Sequence, residues 1–385
     1  MGREWPRRSL RWLLGLGLPL ALVALALARV DLSAGARRVL ASGPLALLGF
    51  LPAALVLGFD ALGWRRLLAA PRRRQAPLGR LFAARLGGEA VSQTLPSAGL
   101  SGEAASAWYL SRHTQVSLGE AIGSLAARRV RVAQGHGTVL VVAALAALAT
   151  PGIPRRFVTL DALGALALLG AAGLGSLLLL RGEPFARLQE SLRQLPWEGL
   201  REWVGARVAS LGVAHREATR PFVEPWRQRL AASACFALVF LSEAFETWAL
   251  LWLVGAELSF TQALAIEPLV SLLRALAFFV PAGLGVQELS YVALLALVGA
   301  PQLQVAGAAF LLLKRTKELA WATLGWSVLL ATDTHARPRA APLGPDEAPE
   351  PDKEEKSEPG AAKDPVHLRV AEPDDADAPD RARVA

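Results

Sequence analysis

The sequence predicts an all-α polytopic membrane protein. Hydrophobic residues make up 53% of the 385 residues, and the mean hydropathy is +0.36; both values exceed those of ordinary soluble enzymes. Two segments broken by proline and glycine predict re-entrant helical hairpins, or eight spans if both cross fully. Six other runs reach or approach the roughly 20 apolar residues that cross a hydrocarbon core about 30 Å thick, and these are 12–28, 43–63, 137–149, 158–180, 230–256 and 303–330.

The first run has two interpretations. It follows several arginines and ends in Ala-Leu-Ala, which is also typical of a cleaved signal peptide. The many later runs favour a first transmembrane helix. Cys235 is the one cysteine and the five histidines are scattered, so we expect no disulfide, no metal and no cofactor.

Arginine placement predicts the topology, because basic loops stay in the cytoplasm. Basic residues are concentrated before the first run, in 64–80 and in 181–229. Both termini are therefore predicted to be cytoplasmic. Residues 184–228 are too polar to span and predict an amphipathic segment on the inner leaflet. Its basic surface either attracts anionic headgroups or is only a topology signal.

The composition changes near His335. Residues 335–385 are rich in Pro, Ala and acidic side chains, and 337–385 carry 13 acidic against 8 basic residues, a net of −5. Such a segment buries too little apolar surface to offset its chain entropy. We therefore expect a membrane domain, 1–334, and a disordered cytoplasmic tail that is either a docking arm or a solvated end.

The first break lies in "LPSAGLSGE", where Pro96 precedes Glu103 by seven residues and Gly99 lies between them. Proline removes a backbone donor and glycine permits sharp turns, so a helix can stop, reverse and restart here. The bland alternative is a proline-kinked full span.

The second break, "FFVPAGLGVQE", repeats this spacing. Pro281 precedes Glu288 by seven residues, and Gly283 and Gly285 lie between them. Matching breaks in two halves are the best sequence indication of a transporter-type site. Because charge places the first break inside and the second outside, we expect the two halves to be inverted.

Basic residues follow both breaks at similar distances. Arg128 and Arg129 lie 25 and 26 residues after Glu103, and the next pair, Lys314 and Arg315, lies 26 and 27 residues after the second glutamate. Arg128, Arg129 and the neighbouring Arg131 either snorkel to the inner interface or belong to a site.

The last run carries charges near its middle, where each costs about 2.5–3.5 kcal/mol on insertion scales. Lys314 and Glu318 are four residues apart and can pair along the helix, which leaves Arg315 and Lys317 without a partner. This predicts a functional group of charges.

Three more acidic side chains and one arginine lie inside apolar runs. Arg274 follows Glu267 by seven residues on one helix face, which allows a buried pair, whereas Glu243 and Glu246 have no obvious partner. Together these charges predict a polar path through the bilayer.

Two stretches resemble a known family. "LGGEAVSQTLPSAGLSGEAASAWYLSR" and "EPLVSLLRALAFFVPAGLGVQELSYVALL…LLLKRTKEL" are similar to the signature stretches of the lysylphosphatidylglycerol synthase transmembrane family, the flippase-like domain, and the second is nearest to its hopanoid-associated branch. The resemblance covers about residues 10–332. It implies a bacterial inner-membrane protein that handles lipid, and it puts six residues on motif positions: Glu89, Glu103, Arg274, Glu288, Lys314 and Arg315.

The resemblance also sets an expectation about activity. Full-length lysyl-lipid synthases carry a soluble aminoacyl-transfer domain after the membrane part, and here 335–385 follow instead. We therefore expect neither aminoacyl transfer nor nucleic-acid binding. An intramembrane enzyme is the least favoured alternative, because no nucleophile or metal set accompanies the buried acids.

The sequence hypothesis is a lipid translocase. Its partner is a membrane lipid, either an anionic phospholipid or a hopanoid-type lipid. The alternative is a non-transporting scaffold for an envelope-lipid biosynthetic enzyme. The expected headgroup-binding residues are Glu89, Glu103, Arg128, Arg129, Arg274, Glu288, Lys314, Arg315, Lys317 and Glu318.

The arginine pattern predicts that a tag placed after Ala385 is cytoplasmic. External protease should leave this tag intact on right-side-out cells and cleave it once the membrane is permeabilised. Cleavage in intact cells would overturn both the topology and the inverted arrangement of the halves.

Overall fold

The computed structural model describes residues 32–41, 43–95, 98–180, 198–277, 280, 283–298 and 303–333. The predicted run 12–28, the two break prolines (Pro96 and Pro281), part of 184–228 and the segment 335–385 lie outside the described residues. Every regular element in the described ranges is helical, as the sequence predicts.

A short 3-10 helix, Gly43–Phe50, lies between the first two α-helices. The α-helices are α1 Leu32–Ala41, α2 Leu51–Leu67, α3 Ala70–Gln75, α4 Leu78–Thr94, α5 Ala98–His113, α6 Leu118–Ala149, α7 Arg155–Leu180, α8 Glu198–Val223, α9 Trp226–Leu253, α10 Phe260–Leu276, α11 Val286–Val298 and α12 Leu303–Asp333.

Three described helices, α6, α7 and α9, are long and apolar enough to cross a membrane. They contain the predicted runs 137–149 and 158–180 and most of 230–256. Helix α12 covers the last run but is not among the three, and it carries four charges near its middle. The membrane-protein class is confirmed, whereas the number of spans stays a prediction.

Helix α7 has the character of a lipid-facing helix. Only 17% of its most apolar window is buried, and leucines such as Leu163, Leu166 and Leu178 are exposed. A soluble protein rarely exposes so large a continuous apolar surface. This surface therefore fits a hydrocarbon surrounding.

Polar caps fix where two of the helices begin. Ser117 accepts a hydrogen bond from the Glu120 backbone N–H, and the Glu120 side chain accepts one from the Ser117 N–H. Ser259 and Gln262 form the same capping box at the start of α10. Each box satisfies backbone donors that the first helical turn leaves unpaired.

The first break reverses the chain, so α4 and α5 form an antiparallel hairpin. The Ser106 hydroxyl donates to Ala84 O at 3.0 Å, and Gly88 lies directly against Gly102. Leu95 has extended dihedral angles that end α4. Gly99 lies in the first turn of α5, after the break and not within it.

The second break also reverses the chain, between α10 and α11. Arg274 Nη1 donates to Gln287 Oε1 at 3.1 Å across this hairpin. Gly283 and Gly285 have φ of 60° and 80°, a region that favours glycine. Both breaks thus form hairpins instead of kinks in a continuous helix; entry of each from one membrane side stays a prediction.

The chain contains two similarly ordered halves, each a long helix, a hairpin and a second long helix. The first half is α2, α4, α5 and α6, and the second is α9, α10, α11 and α12. Helices α2 and α9 pack antiparallel, because Gly63 approaches Phe236 while Gly49 approaches Leu250. The halves therefore begin in opposite directions, whereas the membrane sides that charge assigns to the two breaks stay a prediction.

Each half also packs its last helix on the other half's hairpin. Gly325 of α12 lies against Leu86 and Ala90 of α4. In the reciprocal contact, His136 of α6 forms a hydrogen bond to Pro268 O of α10 at 2.8 Å. The exchanged contacts join the halves around a common centre.

The close approach within the first hairpin predicts the effect of adding a single methyl group. A Cβ on Gly102 would overlap the Gly88 carbonyl oxygen and the Ser92 hydroxyl, whereas a Cβ on Gly170 of α7 would meet no atom within 4 Å among the described residues. Gly102→Ala should lower the free energy of unfolding by about 1–3 kcal/mol. Gly170→Ala should raise it by about 0.5–1 kcal/mol.

Thermal unfolding in detergent measures both changes. A Gly102→Ala protein as stable as Gly170→Ala would show that the α4–α5 contact is looser than described.

Candidate functional site

A cavity of about 470 Å³ lies at the junction of the two halves. Its walls come from α2, α4 and α6 of the first half and from α9, α10 and α12 of the second. Six acidic and six basic side chains line it: Asp60, Glu89, Glu243, Glu246, Glu267 and Glu318, and Arg85, Arg128, Arg129, Arg274, Lys314 and Lys317.

On the first-half side, one carboxylate holds two arginines. Asp60 accepts from Arg128 Nε at 2.7 Å and from Arg85 Nε at 2.8 Å, and all three side chains are buried. Such a triad joins α2, α4 and α6. Arg128 is thus a buried partner of Asp60. Of the two sequence interpretations, snorkelling to the inner interface is therefore wrong for this residue.

Sequence analysis missed Asp60 and Arg85. Asp60 is the one charged residue in the run 43–63, and a lone charge in an apolar run is a signal that could have indicated it. Arg85 lies in a more polar segment, where no comparable signal exists.

The neighbouring arginine pairs with the glutamate that follows the first break. Arg129 Nε donates to Glu103 Oε2 at 2.7 Å, and Arg128 lies 3.6 Å from Glu103 Oε1. Arg129 is half-exposed and lines the cavity, whereas Glu103 does not line it. This pair ties the second arm of the first hairpin to α6.

On the second-half side, both lysines of α12 are paired with buried carboxylates. Lys314 Nζ lies 3.1 Å from Glu267 and 3.6 Å from Glu246, and Lys317 pairs with Glu246. Thr247 also accepts from Lys314 at 3.0 Å. The predicted pairing of Lys314 with its own helix is therefore wrong, because α9 and α10 supply closer carboxylates.

Arg315, which a local Lys314–Glu318 pair would leave without a partner, is paired with the glutamate that follows the second break. Its guanidinium bonds Glu288 at 2.5 Å and Glu318 at 2.6 Å, while Gln287 donates to Glu318 at 2.9 Å. Glu288 also accepts from the Gly285 N–H at 2.7 Å, so it caps α11. Arg315 and Glu288 do not line the cavity.

The ion pairs of the two halves match by position. Asp60 and Glu246 are 186 residues apart, and so are Arg128 and Lys314. Each acid lies on the first helix of its half and each base on the last. A second kind of ion pair also occurs in both halves and links the hairpin to the last helix. It is Glu103–Arg129 in the first half and Glu288–Arg315 in the second.

Three cavity side chains are left without an ion pair in the part of the chain that is described. Glu89 accepts from Gln93 at 3.0 Å, and Glu243 accepts from Ser271 at 2.9 Å. Arg274 donates to a neutral glutamine across the second hairpin. The predicted Arg274–Glu267 pair does not form, because Glu267 bonds Lys314, Thr247 and Tyr291.

His136 completes the wall between the halves. Its ring stacks on Phe240 with centroids 4.0 Å apart, and its Nε2 faces the Pro268 carbonyl. Sequence analysis treated His136 only as one of five scattered histidines.

Asp161 of α7 is a second acid that sequence analysis missed. It is fully buried, and neither carboxylate oxygen has a partner in the described structure. It does not line the cavity. A polar group buried in this way, without a hydrogen-bond partner, lowers stability.

The chain is similar to one known family. The family model for the lysylphosphatidylglycerol synthase TM region matches residues 12–330. No curated protein and no solved structure matches the chain. The model does not distinguish a hopanoid-associated branch, so that finer assignment stays a prediction.

The two missed aspartates predict opposite effects of the same substitution. Asp60→Asn leaves two buried arginines without their carboxylate and should lower the free energy of unfolding by about 3–5 kcal/mol. Asp161→Asn replaces a buried carboxyl group that has no partner with an amide of the same size, so stability should stay equal or rise. Thermal unfolding in detergent compares the two; equal losses would contradict the assigned pairing.

Proposed function

Because the chain belongs to the family of the lysylphosphatidylglycerol synthase TM region, with residues 12–330 covered, we propose that it moves a membrane lipid. The lipid's polar headgroup enters the central cavity while its acyl chains stay among apolar helix surfaces. This transport is between the leaflets of, or out of, a bacterial inner membrane.

The observation that supports this proposal best is the charged cavity itself. A cavity of about 470 Å³ has the size of ordinary ligand sites, about 300–1,000 Å³. It lies between two halves that run in opposite directions and that meet through exchanged hairpin contacts. Transporters of inverted-repeat type bind substrate at this position.

The chemistry of the walls suits a headgroup. A phosphate or ammonium leaving water must find opposite charges inside the membrane. The cavity offers six side chains of each sign, so either part of a headgroup meets a complementary group. The two hairpins place irregular backbone beside this polar space, where such backbone is tolerated at membrane depth.

The finer features belong to the same proposal. Both termini lie in the cytoplasm, 184–228 rests on the inner leaflet, and each hairpin enters the membrane from one side. A hopanoid-type lipid is one candidate cargo, as the resemblance of the second signature stretch implies.

The alternative is a scaffold that binds an envelope-lipid enzyme. It is favoured by the complete pairing of Lys314, Arg315 and Lys317, because saturated pairs can serve structure alone. The two proposals differ in whether the cavity must be open.

A cavity-filling substitution separates them. Ala275 lines the cavity and is exposed, so Ala275→Trp narrows the space without disturbing a packed core. Ala167 of α7 is exposed away from the cavity and gives the matched control Ala167→Trp. Fluorescent lipids of several headgroup classes are followed by leaflet-specific quenching in proteoliposomes.

Ala275→Trp should lower the rate at least tenfold at unchanged thermal stability, and Ala167→Trp should match wild type. No movement of any lipid by wild-type protein would favour the scaffold. Unchanged movement in Ala275→Trp would place the path elsewhere.

A further inference from the structure

We propose that the cavity binds a zwitterionic headgroup, a phosphodiester joined to a primary ammonium, through Arg274, Glu243 and Glu89. This inference rests on the proposed function and names the class of lipid. It differs from the sequence hypothesis, in which the lipid is an anionic phospholipid or a hopanoid-type lipid and the binding residues include the basic cluster of α12, Lys314, Arg315 and Lys317.

The basic cluster is not available to a phosphate without rearrangement. Lys314 is held by Glu267 and Glu246, and Lys317 pairs with Glu246. A phosphate at either lysine would have to displace a buried carboxylate, which would then lack a partner. Breaking such a pair is strongly unfavourable.

Arg274 is different, because its one hydrogen bond in the described structure goes to a neutral amide, Gln287. A guanidinium has five N–H donors in a planar fork that suits phosphate oxygens. Most of these donors remain for a ligand. Arg274 is therefore the cavity cation best able to receive a phosphodiester.

Glu243 and Glu89 supply the complementary charge. Each accepts one hydrogen bond from a neutral side chain, although a carboxylate has about four acceptor positions. Neither forms an ion pair with Arg274 among the described residues, and all three line the same cavity. A primary ammonium has three donors and can bond both carboxylates.

Charge balance opposes an anionic guest. The charges open to a ligand are one arginine and two carboxylates, so a headgroup that carries only a phosphate would add negative charge to a group with a negative excess, in surroundings of low dielectric constant. An anionic headgroup at Arg274 would also be repelled by the two carboxylates. A zwitterion satisfies the arginine and the carboxylates together.

The three residues come from both halves. Glu89 lies on α4, whereas Glu243 and Arg274 lie on α9 and α10. A headgroup bound to all three therefore bridges the junction of the halves, which is where a transported group must sit if either side is to release it.

Binding to the purified full-length chain in detergent tests the proposal. The probes are dihexanoyl phosphatidylethanolamine, which is zwitterionic, and dihexanoyl phosphatidylglycerol, which is anionic; titration calorimetry gives both affinities. Wild type should bind the first about tenfold more tightly, as expected for a charge-assisted contact. Equal or tighter binding of the anionic lipid would overturn the proposal.

Variants give a pattern that a general structural role would not produce. Glu243→Gln and Glu89→Gln should each weaken binding of the zwitterionic lipid about tenfold and leave binding of the anionic lipid unchanged or stronger. Arg274→Gln should weaken binding of both lipids. Two exposed residues outside the cavity give the controls Glu257→Gln and Arg156→Gln, which should change neither.

Equal effects of the glutamate variants on both lipids would contradict the assigned ammonium contact. If Glu243→Gln fails to fold, Glu89→Gln alone carries the comparison. A leaflet assay then distinguishes failure of the headgroup class from failure of the proposed transport. Movement of phosphatidylglycerol but not phosphatidylethanolamine would refute the headgroup class and support transport. Selective binding without movement of any lipid keeps the site and refutes transport.

Discussion

The pairing of buried charges is the constraint on which the structure depends. A charged side chain among membrane helices is costly unless an opposite charge and hydrogen bonds accompany it. Asp60 satisfies this requirement for Arg85 and Arg128, and Glu246 and Glu267 satisfy it for Lys314. Each of these contacts joins two different helices, so the helices pack together where the charges are neutralised.

The same constraint explains why the two halves resemble each other in their ion pairs but not throughout. In each half the first helix carries an acidic residue and the last helix a basic one. The matching residues of the two halves are 186 positions apart, as Asp60 and Glu246 are. The two halves differ in the first helix of the hairpin. Helix α4 of the first half contributes a basic residue, Arg85, whereas α10 of the second half contributes an acidic one, Glu267. Because these two residues carry opposite charges, the cavity lining keeps equal numbers of acidic and basic side chains.

Sequence patterns predict the helical class, both chain reversals and most of the charges that line the cavity, but not Asp60 and Arg85. Proline with glycine indicates a break because backbone geometry is local, and Glu103 and Glu288 could be linked to the following basic residues because the spacing repeats. The partners could not be predicted. Lys314 reaches Glu246 and Glu267 across three helices, and distance along one helix suggested a local pair with Glu318 instead.

Some charged side chains of the cavity are saturated, because an ion pair holds them, and others are open, because they have only neutral partners among the described residues. This difference decides which side chains can bind a ligand. Breaking Asp60–Arg128 or Glu267–Lys314 would expose an unpaired charge and loosen the contact between helices. Among the described residues, Arg274, Glu243 and Glu89 have only neutral hydrogen-bond partners, so exchanging those partners leaves the helices where they are. Saturated pairs therefore fix the shape of the cavity, and the open charges can bind and release a headgroup without dismantling the structure that positions them.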